Sequence, residues 1–214
     1  MTAELITKDD GFALPLWLVE KGGLDRLKLD LAVVEWAALH GFDGASGTLL
    51  TLPGLSGRLA GALFGIGAGE EPLVFGKLAK GLPSGVWKFA SEPANFSLAA
   101  LGFLLGSYQF EKYRTGEKPR DVKLVAPSGV NVAQVRLMHE SAKLARDLIN
   151  APANDMGPSA IEKAAKSVAS QFKARAKVTT GAQLLRKNFP MIHAVGRAAT
   201  EPPRLIDFAW GPRS

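Results

Sequence analysis

Cysteine is absent from the 214 residues, and this absence removes several kinds of chemistry. Without a thiol the chain cannot form a disulfide, a thiolate metal site or a cysteine nucleophile. The composition fits a reducing compartment, and we therefore expect a cytoplasmic protein. The first residues, MTAELITKDDGF, carry acidic groups early and lack a cationic start followed by an apolar stretch, so no secretory signal is expected.

Long apolar runs are also missing, although 47% of the residues are hydrophobic. The longest candidates lie at 59–66 and 98–105, and glycine interrupts both of them. Because a membrane-spanning helix needs roughly 18 to 20 uninterrupted apolar residues, we expect no membrane span. The hydrophobic fraction is ample for the packed core of a globular protein.

Clusters of catalytic or metal-binding side chains are scarce as well. The three histidines, His40, His139 and His193, have no second histidine or carboxylate at chelating spacing, which favours packing or capping roles. Twenty acidic residues are present, yet they nowhere form the Asp/Glu sets that chelate two hard divalent ions. No serine lies in a Gly-x-Ser-x-Gly elbow. We therefore predict no catalytic residue and no metal ligand in this chain.

Apolar patterning divides the first 129 residues into alternating strands and helices. Helices are predicted from Leu31 to a stop at Gly41, briefly within 72–80, and over 94–113. The turn at 53–57 joins two of the predicted strands into a hairpin. The pattern predicts one α/β domain, with strands at 14–19, 48–52, 58–66, 86–90 and 122–126.

A linker helix is predicted over 130–150, with Asn131 as its N-cap and Pro152 beyond its end. Its apolar stripe comprises Val135, Met138, Ala142, Ala145 and Ile149. Beyond it, residues 151–214 hold two predicted helices, 158–172 and 182–187, and two strands, 176–179 and 204–210. Because two strands are too few for a stable α/β domain, we interpret this segment as the incomplete beginning of one. The last strand is apolar on both faces, which predicts an edge that self-associates unless it is covered.

The sequence NAPAN at 150–154 lies just past the end of the linker helix. Asn150 and Asn154 flank Pro152, and amide side chains at such positions hydrogen-bond exposed backbone groups while the proline fixes the direction of exit. These three residues are predicted to form a structural junction and to take no part in a reaction.

Positive charge is concentrated between residues 158 and 187. Seven basic residues lie there against the single acid Glu162, an excess equal to the net +6 of the whole chain. Lys163, Lys166 and Lys173 are the candidate contacts for an anion or a nucleic acid. The alternative is a solvated helix face whose acidic neighbours lie on another chain or on further sequence. Aromatic side chains that could stack bases do not interleave with these cations, apart from Phe172.

Glycines alternate from Gly65 to Gly69, directly after a predicted strand. Bare backbone amides in such a run can approach a phosphate. The run lacks the third spaced glycine of a dinucleotide fingerprint and is followed by Glu70 and Glu71. An ordinary turn that ends the strand is the second interpretation.

Two long segments carry a resemblance to a known family: RDLINAPANDMGP at 146–158 and NFPMIHAVGRAATEPPRLIDFAWG at 188–211. They resemble the leucyl aminopeptidase (cytosol aminopeptidase) family where its N-terminal domain is followed by its catalytic domain. The segments LTLPGLSGRLAGALFGIG, PSGVWKF and ALGFLLGSYQFEKY look like the N-terminal domain of one bacterial branch. The resemblance implies a macro-domain-like α/β domain over 1–129, the linker helix over 130–150, and the truncated start of an α/β metallopeptidase domain over 151–214.

The resemblance also implies a function for the complete protein. It would remove N-terminal amino acids from peptides with two divalent metal ions, zinc or manganese, and assemble as a hexamer of two trimers. The family's metal ligands and catalytic Lys and Arg lie in Gly-Lys-Gly-x-x-Phe-Asp-Thr-Gly-Gly and Asn-Thr-Asp-Ala-Glu-Gly-Arg segments, and neither occurs here. We therefore expect this chain to bind no metal and to be inactive alone. Two alternatives stay open: a regulatory or nucleic-acid-binding module that uses 158–187, and a macro-like nucleotide binder.

Overall fold

The protein divides into two compact units, residues 1–144 and 145–214. The computed structural model describes residues 2–9, 11–113 and 121–212. Both helices and strands are present, and the larger sheet is mostly parallel, which confirms the predicted α/β class. The boundary between the units falls inside the helix that the sequence predicts as a linker.

The first unit is built on one six-stranded sheet, with strand order β1-β6-β5-β2-β4-β3. Every neighbouring pair is parallel except β3 and β4, which form an antiparallel hairpin. The strands are β1 (Thr2–Ile6), β2 (Leu14–Glu20), β3 (Leu49–Pro53), β4 (Leu59–Gly67), β5 (Gly85–Phe89) and β6 (Asp121–Val125).

Five of these six strands and the hairpin agree with the sequence pattern. In the hairpin Leu49 pairs with Phe64 and Leu52 with Gly61, and the register shifts at Pro53, whose nitrogen has no hydrogen to donate. The strand β1 was not predicted, because its residues TAELI lack the sustained apolar run of a buried strand. It nevertheless pairs with β6 over five residues, Thr2 opposite Asp121 through Ile6 opposite Val125.

Four helices accompany the sheet: α1 (Leu31–Leu39), α2 (Gly76–Gly81), α3 (Phe96–Gly106) and α4 (Val132–Asn150). The side chains of Asn95 and Asn131 accept hydrogen bonds from the N–H groups of Leu98 and Gln134, at 2.9 and 3.0 Å, and so cap α3 and α4. The prediction that α3 continues to residue 113 is wrong. The helix ends at Gly106, where the Ser107 hydroxyl donates to the Leu104 carbonyl at 2.7 Å and gives the chain a local alternative to another helical turn.

Apolar side chains form a core on each face of this sheet, because successive residues of a strand point to opposite sides. Leu16 and Leu18 of β2 face the larger core, together with the buried residues of α2 and α3. Val19 faces the smaller core, which includes Ala37 of α1. The two cores explain why β4, and β2 as far as Val19, are apolar without a break, as strands covered on both faces usually are.

Little of α4 is buried. Its residue Val135 is buried, whereas Met138 and Ile149, which belong to the same predicted stripe, are 47% and 80% exposed. Arg136 joins the helix to β1, because its guanidinium donates to the Leu5 carbonyl at 2.6 Å.

The second unit contains α5 (Pro158–Gln171), β7 (Arg175–Thr180), α6 (Ala182–Arg186), α7 (Pro190–Gly196) and β8 (Arg204–Ala209). The strands β7 and β8 form a two-stranded antiparallel sheet in which Arg175 lies opposite Ala209 and Thr180 opposite Arg204. Leu184 is fully buried, whereas Phe208 and Trp210 are 50% and 75% exposed. In the ranges that the structure describes, no helix has the length and apolar character needed to cross a membrane.

Candidate functional site

The residues of the predicted junction follow the end of α4 directly. The N–H of Ala151 donates to the Asp147 carbonyl, and the N–H groups of Asp155 and Met156 both donate to the Pro152 carbonyl at 2.9 Å. Asn150, Pro152 and Asn154 are exposed around this tight turn. The turn redirects the chain into α5, and its groups are suited to shaping the backbone.

A network of charged side chains lies between α5 and β8. Glu162 accepts hydrogen bonds from the ammonium of Lys166, at 2.5 Å, and from the guanidinium of Arg204. Their side chains differ in burial, since Arg204 is 16% exposed and Lys166 is 54% exposed. Lys166 and then Arg204 hold the pKa of the Glu162 carboxyl below its ordinary value.

Glu201 closes the N-terminus of α5. Its carboxylate accepts a hydrogen bond from the N–H of Ser159 at 2.7 Å and lies 3.9 Å from the Arg204 guanidinium. Pro158 lies at the start of α5 and has no N–H to donate, so Glu201 accepts its hydrogen bond from the N–H of the next residue. Hydrogen bonds from the Ser159 side chain and N–H lower the pKa of the Glu201 carboxyl.

An open apolar groove of about 590 Å³ adjoins this network. Side chains of α5, α7 and the segment before β8 line it, and Met191 and Val195 are 73% and 81% exposed there. Such a surface can bind an apolar group. The groove is lined by Pro158, Ile161, Met191, Ile192, Val195, Gly196, Ala199, Glu201, Pro203 and Arg204.

The three candidate lysines have different surroundings. Lys166 is paired with Glu162, whereas Lys163 and Lys173 are exposed and Lys173 follows α5 with a φ of 53°. Residues 145–214 contain eleven basic and five acidic side chains, so the second unit carries the whole net charge of +6. Lys163 and Lys173 are therefore the candidates whose charge is not already balanced by Glu162.

The alternating glycines at 65–69 end β4 and begin the loop after it. The N–H of Gly65 donates to the Thr48 carbonyl at 2.8 Å, that of Gly67 to the Gly44 carbonyl at 3.0 Å, and that of Gly69 to the Ile66 carbonyl at 2.9 Å. Because these three donors are already used, the N–H groups of the glycines are not available to bind a phosphate. The geometry favours the second interpretation, a turn that ends the strand.

The implied two-metal centre does not fit the residues that the structure describes. Over 2–9, 11–113 and 121–212, no three His, Cys, Asp or Glu side chains lie close enough together to hold a metal ion. His193 lies half-buried on α7, and its backbone N–H donates to the Phe189 carbonyl at 3.4 Å.

The network of Glu162, Glu201 and Arg204 was not found from the sequence. Glu162 and Lys166 are four residues apart on a predicted helix, and that spacing is a recognisable signal for an ion pair. The bonds from Arg204 to Glu162 and from Ser159 to Glu201 each join residues 42 apart, so only the folded chain brings them together.

Comparison with protein families gives two matches in sequence order. Residues 14–127 match the model of the M17 aminopeptidase N-terminal domain. Residues 143–214 match the model of the cytosol aminopeptidase family catalytic domain.

Individual relatives agree with these matches. A probable cytosol aminopeptidase from Corynebacterium diphtheriae is 26% identical over 231 residues, which cover 95% of this chain and 46% of that protein. The crystal structure of the cytosol aminopeptidase from Coxiella burnetii is 35% identical, with a TM-score of 0.88 over 97% of this chain and 46% of the other. The bottromycin maturation enzyme BotP in complex with Mn has the same fold at 21% identity, with a TM-score of 0.76 over 93% of this chain and 45% of its own. The chain thus spans about half the length of the proteins it matches.

Proposed function

Because the chain belongs to the M17 (cytosol aminopeptidase) family, we propose that it forms the N-terminal portion of an enzyme that releases N-terminal amino acids from peptides. The proposal rests on two family matches, over 14–127 and 143–214, together with a similarity of fold over 97% of the chain. Peptides with a free N-terminus are the proposed substrates of the complete protein.

In this proposal the described residues act as scaffold. The first unit folds around its own six-stranded sheet, and the turn at Pro152 leads the chain into α5. Glu201 and Arg204 then tie the N-terminal turns of α5 to the segment that enters β8. These contacts hold the entry to β8 against the start of α5.

The complete enzyme is proposed to use two divalent ions, zinc or manganese, which would activate the attacking water and polarise the scissile carbonyl. The manganese complex of BotP supports divalent-metal chemistry in this fold. The ligands are proposed to lie in segments outside these 214 residues, since the described residues form no metal-binding group. We further propose that the complete protein is a hexamer and, as the name of its relatives suggests, cytosolic.

Leucine p-nitroanilide hydrolysis tests the proposal. The 214-residue chain, assayed with added Mn²⁺ or Zn²⁺, is expected to release no p-nitroaniline above the rate of metal in buffer. A chain extended through a full M17 catalytic domain should show metal-dependent turnover that EDTA abolishes. Metal-dependent turnover by the 214-residue chain would contradict the proposed division of roles, and an inactive extended chain would contradict the proposed activity.

A regulatory or nucleic-acid-binding role is the alternative proposal. The observation that favours it is the concentration of the whole net charge in residues 145–214, with Lys163 and Lys173 exposed on the surface. A bound nucleic acid would contact these cations through its phosphates.

A further inference from the structure

A cavity of about 320 Å³ lies at the carboxyl ends of three parallel strands of the first unit. Glu20 is the last residue of β2, Ile66 lies at the end of β4, and Glu92 follows β5 by three residues. The cavity is lined by Glu20, Ile66, Ala68, Gly69, Glu71, Pro72, Val74, Phe75, Glu92, Pro93, Ala94 and Asn95.

The order of the strands makes this the place where a ligand is expected. From β2 the chain passes through β3 to β4 on one side, and it then crosses to β5 on the other side of β2. The connection that leaves β2 and the connection that leaves β4 thus run in opposite directions across the sheet and leave a crevice at the carboxyl end of β2. In open α/β sheets ligands bind in crevices of this kind.

The floor of the cavity is apolar and formed before any ligand arrives. Val74, Phe75 and Pro93 are buried. The ring of Phe75 packs against Phe64 at 5.9 Å and Phe89 at 5.8 Å between centroids, so core contacts hold it in place. A small ligand could therefore bury an apolar portion without rearranging the floor.

The ionisable side chains that line the cavity are all carboxylates. Glu20 is paired with Arg26 at 2.7 Å, and Glu71 accepts a hydrogen bond from the Ser46 hydroxyl at 2.9 Å. Within the described ranges the Glu92 side chain makes no ion pair or hydrogen bond. The lining includes no lysine, arginine or histidine.

These charges determine the class of ligand. Phosphate groups would meet carboxylates, and the N–H groups of Gly65, Gly67 and Gly69 are already bonded to carbonyls. The described carboxylates do not form a three-ligand metal cluster either. We propose that the cavity at the ends of β2, β4 and β5 binds a small organic cation, an ammonium or guanidinium group on a short apolar body, with Glu92 as its counter-ion.

Titration of the ¹⁵N-labelled 214-residue chain with agmatine, followed by amide chemical shifts, tests this proposal. Saturable shifts are expected at Gly69, Glu92 and Asn95, and they should weaken as salt screens the carboxylates. Glu92→Gln should raise the Kd by about fivefold, which corresponds to one partly exposed ion pair. Glu35→Gln on α1 is the matched control, because Glu35 does not line the cavity, and it should leave the Kd unchanged.

ADP-ribose carries negatively charged phosphates, so it tests whether the carboxylates of the cavity exclude an anionic ligand. We expect it to cause no saturable shift at these amides. Saturable binding of ADP-ribose there, the absence of an agmatine response at millimolar concentration, or equal Kd values for wild type and Glu92→Gln would each overturn the proposal. The amide spectrum of each variant verifies its fold. Glu71→Gln, which neutralises a second carboxylate of the lining, tests the same effect on the Kd for agmatine. The outcome is independent of peptidase activity.

Discussion

Glu201 accepts a hydrogen bond from the N–H of Ser159 at 2.7 Å, which joins the segment before β8 to the first turn of α5. A carboxylate at this position balances the partial positive charge at the start of a helix. Because Pro158 precedes Ser159 and has no N–H of its own, Ser159 is the first residue of the helix that can donate. The bond therefore stabilises the helix and the entry to the second sheet together.

The Glu201 carboxylate should make the stability of the second unit depend on pH. Its pKa is lowered from the ordinary 4.5 in the folded chain, so its contribution is complete above that value and is lost as the pH falls through the folded pKa. Thermal unfolding followed by circular dichroism at neutral and acidic pH measures the effect.

Two substitutions separate the charge of Glu201 from its hydrogen bond. At neutral pH the melting temperature should decrease from wild type to Glu201→Gln, which keeps an acceptor, and further to Glu201→Ala, which removes it. As the pH falls below 4.5 the wild type should approach Glu201→Gln. A difference between them that stays constant with pH would exclude a role for the charge.

Arg204 and Lys166 both contact Glu162, but their loss should have unequal effects. Arg204→Met should lower the melting temperature more than Lys166→Met, because Arg204 is 16% exposed and its removal leaves Glu162 and Glu201 without the cation that lies between them. Lys166 is 54% exposed, and salt screens such a pair. Melting curves at low and high salt measure both effects. Equal losses, or a Lys166 effect that survives high salt, would contradict this ranking.

Close contact between α2 and α3 should make Gly106 intolerant of a side chain. A Cβ at Gly106 would lie 2.0 Å from the carbonyl oxygen of Gly76, so one backbone must move, and Gly106→Ala should cost about 1–3 kcal/mol of unfolding free energy. Gly102→Ala in the same helix is the control. Its Cβ would lie 3.2 Å from the Pro72 carbonyl oxygen, and alanine favours the helix, so the change should be smaller than about 1 kcal/mol.

Urea unfolding followed by tryptophan fluorescence measures these free energies. Trp17, Trp36 and Trp87 lie in the first unit, and Trp87 is fully buried, so tryptophan fluorescence reports mainly on this unit. A Gly106→Ala variant as stable as Gly102→Ala would show that the two helices can separate without loss.

Gel shifts with duplex DNA test the nucleic-acid alternative. If the basic segment contacts phosphates, complex formation should weaken steeply with salt, and Lys163→Gln combined with Lys173→Gln should weaken it further. Lys166→Gln should have less effect, because Glu162 already balances that charge. No shift at low salt, or an effect of Lys166→Gln as large as that of the double variant, would argue against this surface.

The sequence predicted most elements of the first unit because their signals are local. The turn at 53–57 between two apolar runs specifies the hairpin, and Asn131 and Pro152 bracket α4 as caps and breakers do. The end of α3 was missed because the apolar pattern continues past Gly106, whereas the backbone there is redirected by the hydroxyl of Ser107.

In the candidate site, the contacts between residues far apart in sequence could not be predicted. NAPAN predicts a structural junction after α4, because a proline after a helix has few conformations available. The partners of Glu201 and Glu162 did not follow, because they depend on how α5 packs against β8. The cavity in the first unit could not be predicted from the sequence either, because its carboxylates come from three separate strand ends.

The pairing of β1 with β6 affects how the protein folds while it is being synthesised. Thr2 lies opposite Asp121, and among the described residues β1 pairs with β6 alone, so β1 is synthesised long before its partner strand. Until β6 has been translated, the nascent sheet exposes the edge of β5 that β6 will later cover. Pairing of this kind slows folding and leaves strand edges open to other chains. Chaperone demand during translation should therefore continue until β6 has left the exit tunnel.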